Sequence, residues 1–150
     1  MDRADDAHEL IASGRMNCAQ AVLSTCCEQF GLERILALKL AQGFGGGMGR
    51  MGGVCGAVTG AYMVLGLAQQ MGDDNPRQSV DRTYELVREF NQRFKALHGS
   101  VICKELISYD LSTPEGLAEA RNKKIYRLPG FRSRFDKGTG SPAPASLITP

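Results

Sequence analysis

The chain has no tryptophan, only six phenylalanines and four tyrosines, and only two histidines. So few aromatics, beside many alanines, leucines and 18 glycines, disfavour a sheet sandwich and predict packed helices. A long hydrophobic run is also missing. The longest nearly apolar stretch, Val54 to Ala68, has 15 residues and is interrupted by glycines and Thr59, too short to cross a bilayer comfortably. The first residues carry Asp2, Asp5 and Asp6, the wrong sign for a signal peptide, and no apolar segment follows them. The expectation is a soluble, cytoplasmic protein without membrane contact.

Several chemistries lack their residues. There is no CxxC pair, no CxxCH for covalent haem, no HExxH and no GK[ST] for a nucleotide-binding loop. Gly47-Met-Gly-Arg-Met-Gly52 is formally GxGxxG, yet LALKLAQGF before it reads as the end of a helix rather than a strand. Nucleotide binding is set aside on that ground.

What is present bounds the class. A chain of 150 residues, 43% of them apolar, is enough for one domain with a real core. The formal charge of +2 hides an asymmetry: residues 1–120 hold 11 basic and 15 acidic side chains, and residues 121–150 hold seven basic and one acidic. That basic run is short and no nucleic-acid module surrounds it, so a solvated segment or one docked on the acidic body is expected instead of a nucleic-acid partner.

Local signals punctuate the chain as an all-α bundle of five to six helices over residues 1–128. Residues 129–150, rich in basic residues, proline, glycine and serine, read as a flexible tail. A first helix over Ala4–Ser13 ends near Gly14. A second starts after Asn17, where Asn17 and Gln20 have capping-box spacing, and presents Val22, Leu23, Cys26, Cys27 and Phe30 before Gly31. A third covers Leu32–Gln42, residues 43–53 form a glycine loop, and a fourth runs from Val54 to Met71. After the break at Asp73-Asp-Asn-Pro76, a long helix spans Gln78 to Leu97, burying Val80, Tyr84, Val87, Phe90 or Asn91, and Phe94. Ser100 is expected to cap a short helix bearing Cys103, and Ser112 another that begins Ser112-Thr-Pro-Glu115.

Five cysteines, an odd count, argue against a structural disulfide framework. Cys18, Cys55 and Cys103 each fall at or near a helix start, where unpaired N–H groups and the helix dipole favour thiolate, the reactive form and the metal ligand. Cys26 and Cys27 read as small core hydrophobes. Gly52, Gly56 and Gly60 recur every four residues, and Ala57 and Ala61 widen that bare stripe for close helix packing beside Cys55. Gly45, Gly46, Gly47 and Gly49 allow a nest of amides for an anion or a thiolate. Gly47, Gly49, Gly52, Gly56 and Arg50 are therefore the candidate cofactor-binding residues. Arg50, the one charge in the loop, either stabilises a thiolate or pairs with a surface acid. His98 is a candidate fourth metal ligand, or a charge partner for a helix C-terminus.

The segments Asn17-Cys-Ala-Gln20, GFGGGMGRMGGVCGAVTGAYMVLGL at 43–67 and Cys103-Lys-Glu-Leu stand in an order that resembles the redox-active family named for its C…GCAxxG…C…C cysteine pattern. The resemblance covers roughly residues 8–128. It implies a small helical protein whose cysteines support redox chemistry or bind a metal or cluster. The family's first cysteine falls on Cys18, its central one on Cys55 with Gly56, Ala57 and Gly60, and its third on Cys103. The last has no counterpart: IYRLPGFRSRF occupies its region. Four thiolates for a tetrahedral metal or a cluster are thus missing at the family positions.

Three functions follow. The leading one is a thiol redox protein in which Cys55 and either Cys18 or Cys103 cycle between dithiol and disulfide, with a redox partner protein. The second is a metal or cofactor module using Cys18, Cys55, Cys103 and His98, its cofactor unspecified. The third is a non-catalytic helical domain that binds a partner. The short apolar faces of so small a body also predict a homodimer.

Overall fold

A computed structural model describes residues 3–69, 71, 74–128 and 131. Its described part is all-α, with seven helices: α1 (Arg3–Ala12), α2 (Cys18–Ser24), α3 (Arg34–Leu40), α4 (Gly56–Ala68), α5 (Pro76–His98), α6 (Cys103–Ile107) and α7 (Pro114–Asn122). Short 3-10 turns at Cys27–Phe30, Gln42–Phe44 and Ile125–Arg127 connect or follow them. Among the described residues no helix is long and apolar enough to cross a membrane. The expected tail at 129–150 lies outside the described residues, apart from Phe131, which is buried.

The centre of the molecule is the pairing of α2 with α4. Ala19, Ala21 and Val22 on α2 meet Ala57, Val58 and Ala61 on α4, and all are fully buried. Gly56 and Gly60 permit the approach: a methyl group at position 60 would lie 3.0 Å from the Ala19 carbonyl oxygen and 3.0 Å from Val22 Cβ. Gly52, the third member of the expected stripe, falls outside α4, with a left-handed φ of 71°, and packs against Lys104 instead. Gly66, exposed near the other end of α4, would meet only Thr83 Cγ2, at 4.0 Å. Two alanine variants are therefore expected to move stability in opposite directions. Gly60→Ala overpacks the α2–α4 contact and costs about 1–3 kcal/mol, whereas Gly66→Ala gains up to about 1 kcal/mol in helix propensity. Urea unfolding midpoints read both; equal shifts would show that the helix contact is looser than described.

Two elements differ from expectation in ways that have local causes. The second helix does not reach Phe30 but stops at Ser24. There the Ser24 and Thr25 hydroxyls donate back to the carbonyls of Ala21 and Val22, a competition with helical geometry, and the Arg34 guanidinium donates to the Ser24 carbonyl at 3.0 Å. Cys26 and Cys27 thus lie in the turn that follows, both buried. On α5 the buried positions are Leu86, Phe90 and Phe94, while Tyr84 is 57% and Val80 38% exposed. Phe90 and Phe94 are thus buried as expected and Val87 packs against the core, while Leu86 takes the place expected for Tyr84; the Tyr62 hydroxyl on α4 donates to Asn91 at 2.9 Å.

The helix starts follow their caps. Asn17 and Gln20 form the reciprocal box, Asn75 caps α5 with Pro76 at its first position, and Gly99 ends α5 in the left-handed region. Thr113 rather than Ser112 caps α7, because Ser112 is engaged with Asp110. Ile102 rather than Ser100 holds the position before α6, and Ser100 Oγ accepts from the Ile102 amide, which precedes the helix.

Candidate functional site

Cys18, Cys55 and Cys103 all border one cavity of 580 Å³. Each reaches it by a different local device. Cys18 is the first residue of α2, and Asn17 anchors that start. Asn17 Oδ1 accepts from the Gln20 amide at 2.9 Å, and the Asn17 side-chain amide donates to the Gln42 carbonyl at 3.0 Å. The start of α2 is thereby tied to the chain that follows α3.

Cys55 and Cys103 are brought together by a short antiparallel pairing of Val54 with Ile102. The Cys55 amide donates to the Val101 carbonyl at 2.8 Å, and the Cys103 amide donates to the Gly53 carbonyl at 2.6 Å. In such a register the residues flanking the paired position project to the opposite side. Cys55 and Cys103 consequently share a side, diagonal to each other. Cys18 approaches from α2, its Cβ 3.0 Å from where a Cβ on Gly56 would lie. Cys55 and Cys103 are each 6% exposed, and Cys18 is half-buried.

The glycine loop is a left-handed coil. Residues 46–50 all have left-handed φ values between 62° and 71°, including the non-glycine residues Met48 and Arg50. An L-residue held there costs about 1–2 kcal/mol. The loop's own hydrogen bonds sustain the coil: Arg50 N–H to the Gly45 carbonyl, Gly52 N–H to Gly46 and Gly53 N–H to Gly47, at 3.0, 3.2 and 2.8 Å. These three bonds hold the coil closed from Gly45 to Gly53. Gly47 is buried against Cys103: a Cβ there would lie 2.6 Å from the Cys103 Cβ. Of the expected binding residues, Gly49, Gly56 and Arg50 border the cavity, while Gly47 and Gly52 stand behind it; Gly45 and Gly46 join the lining.

Four further lining residues escaped the sequence reading as site residues: Arg15, Arg121, Tyr126 and Phe131. Tyr126 lies in the segment where the family's last cysteine is expected. Burial pushes its phenol up, Cys18 and Cys103 add to that rise, and Arg50 and Arg121 oppose it. Its backbone is held against α1 by His8, whose Nε2 lies 3.0 Å from the Tyr126 carbonyl oxygen, and its ring meets Phe131 edge-on at 5.2 Å. No local sequence signal marks these residues, since Arg15 comes from the link between α1 and α2, Arg121 from α7, and Tyr126 and Phe131 from the chain that follows α7.

His98 does not join the thiols. It is not part of the cavity lining, and its ring lies 4.4 Å from that of Phe94 on α5. Among the described residues no group of three or more His, Cys, Asp or Glu side chains is arranged to hold a metal ion. Cys26 and Cys27 lie apart in a second cluster with Leu23, Ala37 and Val64. Burial pushes the Cys27 thiol up, Glu28 adds to it, and Arg34 opposes. In the native protein at pH 8, iodoacetamide is therefore expected to modify Cys18 at least about tenfold faster than Cys27. Peptide mapping over a time course reads the two rates, and comparable rates would contradict the burial described.

The family model described as "Putative redox-active protein (C_GCAxxG_C_C)" matches residues 16–128. No curated protein matches the chain, and no solved structure does. The matched span includes Cys18, Cys55, Cys103 and Tyr126, and on that match the chain belongs to the redox-active C_GCAxxG_C_C family.

Proposed function

We propose that this protein performs thiol–disulfide exchange, with Cys55 closing a disulfide with Cys18 or Cys103. The observation that carries the reading is that three cysteines distant in sequence border one cavity while Cys26 and Cys27 do not. Diagonal neighbours in an antiparallel pairing have Cα atoms roughly 7–8 Å apart, and a disulfide spans up to about 7 Å. Closure between Cys55 and Cys103 thus needs only a small shift of a backbone that is glycine at 52 and 53.

The reaction balances without a cofactor. A cysteine thiolate attacks one sulfur of an incoming disulfide, forming a mixed disulfide and releasing one thiolate. A second cysteine thiolate attacks the protein sulfur of that mixed disulfide, closing the protein disulfide and releasing the other thiolate. The substrate disulfide gains two electrons and the protein dithiol loses two. The third cysteine is available to resolve a mixed disulfide.

The test is a thiol count with mapping. Fully reduced protein should show five thiols. After exposure to a small disulfide and removal of excess, it should show two fewer, with the bond mapped by mass spectrometry within the set Cys18, Cys55 and Cys103. Five thiols under every oxidising condition, or a bond involving Cys26 or Cys27, would overturn the proposal.

A further inference from the structure

We infer that the disulfide this site exchanges with is a small anionic molecule, drawn in by Arg15, Arg50 and Arg121 at the cavity wall. The inference rests on the exchange reading above and adds the class of substrate. Two observations carry it. The first is charge: among the described residues the cavity is bordered by these three arginines and by no aspartate or glutamate. Arg15 and Arg50 come from the first 120 residues, which carry more acidic than basic side chains, and Arg121 opens the basic segment that follows. The ion pairs among the described residues join Arg77, Arg82 and Arg93 to neighbours on α5, and none involves the cavity arginines. All three cavity arginines are exposed, so they bring positive charge to the wall of a space that buried sulfurs also border.

The second is access. Cys55 and Cys103 are each only 6% exposed, and they border a 580 Å³ space that falls within the size of small-molecule sites, roughly 300–1,000 Å³. A cysteine on the surface of a folded partner protein reaches such sulfurs poorly, whereas a molecule of a dozen or so heavy atoms enters whole. A wall of one charge sign also raises the local concentration of an oppositely charged substrate, by about 10- to 1,000-fold in favourable clefts.

The experiment oxidises reduced full-length protein with three disulfides of similar size and different charge: dithiodiglycolate (anionic), 2-hydroxyethyl disulfide (neutral) and cystamine (cationic). A cysteine peptide spanning residues 51–60 is oxidised in parallel, and each protein rate is divided by the peptide rate to remove intrinsic reactivity. The expected result is a normalised preference for the anion over the cation of at least about tenfold at low salt. It should shrink toward unity in about 0.5 M potassium chloride. The same ratio should fall at least about threefold in Arg121→Gln and in Arg50→Gln, and the salt series needs no variant to fold. Equal normalised rates, a preference for the cation, or a preference that survives both substitutions would overturn the inference. In those cases closure of a pair by the neutral disulfide leaves the exchange reading standing. Failure of all three reagents to close any pair overturns both.

Discussion

Replacing Cys55 with serine is expected to abolish disulfide closure in the cavity. The oxidised wild-type protein loses two thiols to an internal bond, but Cys55→Ser should form no internal disulfide in the same treatment, and any thiol it loses should map as a mixed disulfide with the reagent. The reason is position. Cys55 sits beside Gly56, which faces the Cys18 side chain, and shares a side of the 54–102 pairing with Cys103. An intramolecular thiol at such range reacts far faster than one arriving from solution, so closure should slow by at least about 100-fold. Cys18→Ser and Cys103→Ser then separate the roles: the direct partner's loss mimics Cys55→Ser, whereas the other's loss leaves closure intact. Burying a hydroxyl where the Cys55 thiol lies costs about 1–3 kcal/mol, so thermal melts should accompany the thiol counts. A Cys18–Cys103 bond forming at the wild-type rate in Cys55→Ser would remove Cys55 from the centre of the mechanism.

Gly47→Ala should be among the most destabilising substitutions in the loop. At φ 71° any L-residue is strained, and a methyl group would also sit 2.6 Å from Cys103 Cβ and 2.7 Å from the Gly53 nitrogen. The conformational cost is about 1–2 kcal/mol and the overpacking about 1–3 kcal/mol. Together they give roughly 2–5 kcal/mol of lost stability. Gly49→Ala supplies the control. Gly49 has nearly the same φ, 62°, but its nearest neighbour for a Cβ is the Gly43 carbonyl oxygen at 3.8 Å. It should lose only the conformational part. Denaturant titration of both variants isolates the steric part by difference; equal losses would mean that Gly47 does not press on Cys103. Disulfide closure should also slow in Gly47→Ala alone, since only that side chain displaces a site cysteine.

The question of why the chain places nine glycines between positions 45 and 66 has two separate answers. Gly56 and Gly60 let α4 approach α2 closely, as their four-residue spacing predicts, because a helix repeats its face on that interval. The loop glycines have another purpose. They accept a left-handed coil whose amides bond its own carbonyls and whose inner side lies on Cys103. Composition announces an unusual backbone there, but handedness depends on φ, and φ at Met48 and Arg50 cannot be foreseen from side chains that ordinarily avoid that region.

The start of α2 at Asn17 with Gln20 and the end of α5 at Gly99 were legible because each signal acts within a few residues, whereas α5 begins at Pro76 under its Asn75 cap, two residues before the expected Gln78. Errors arose where two local options were close in energy. Ser112 and Thr113 are adjacent candidates for one cap, and the Asp110 carboxylate decides between them by engaging Ser112. Tyr84 and Leu86 are both apolar enough to face inward, and the packing of α4 selects Leu86.

For the site, the sequence alone determined which cysteines stand near helix starts and which lie in apolar company, because capping and hydrophobic periodicity act over one or two turns. It also carried the family's pattern as far as Cys103. Only the tertiary structure decided that Cys18, Cys55 and Cys103 border one cavity, that His98 stands elsewhere, and that Arg15, Arg121, Tyr126 and Phe131 complete the wall. Those relations depend on the α2–α4 contact and on the pairing of Val54 with Ile102, whose partners are far apart in the chain. Such contacts form because apolar surface and backbone hydrogen-bonding groups must be satisfied over the whole molecule at once, and no short window of residues contains that condition.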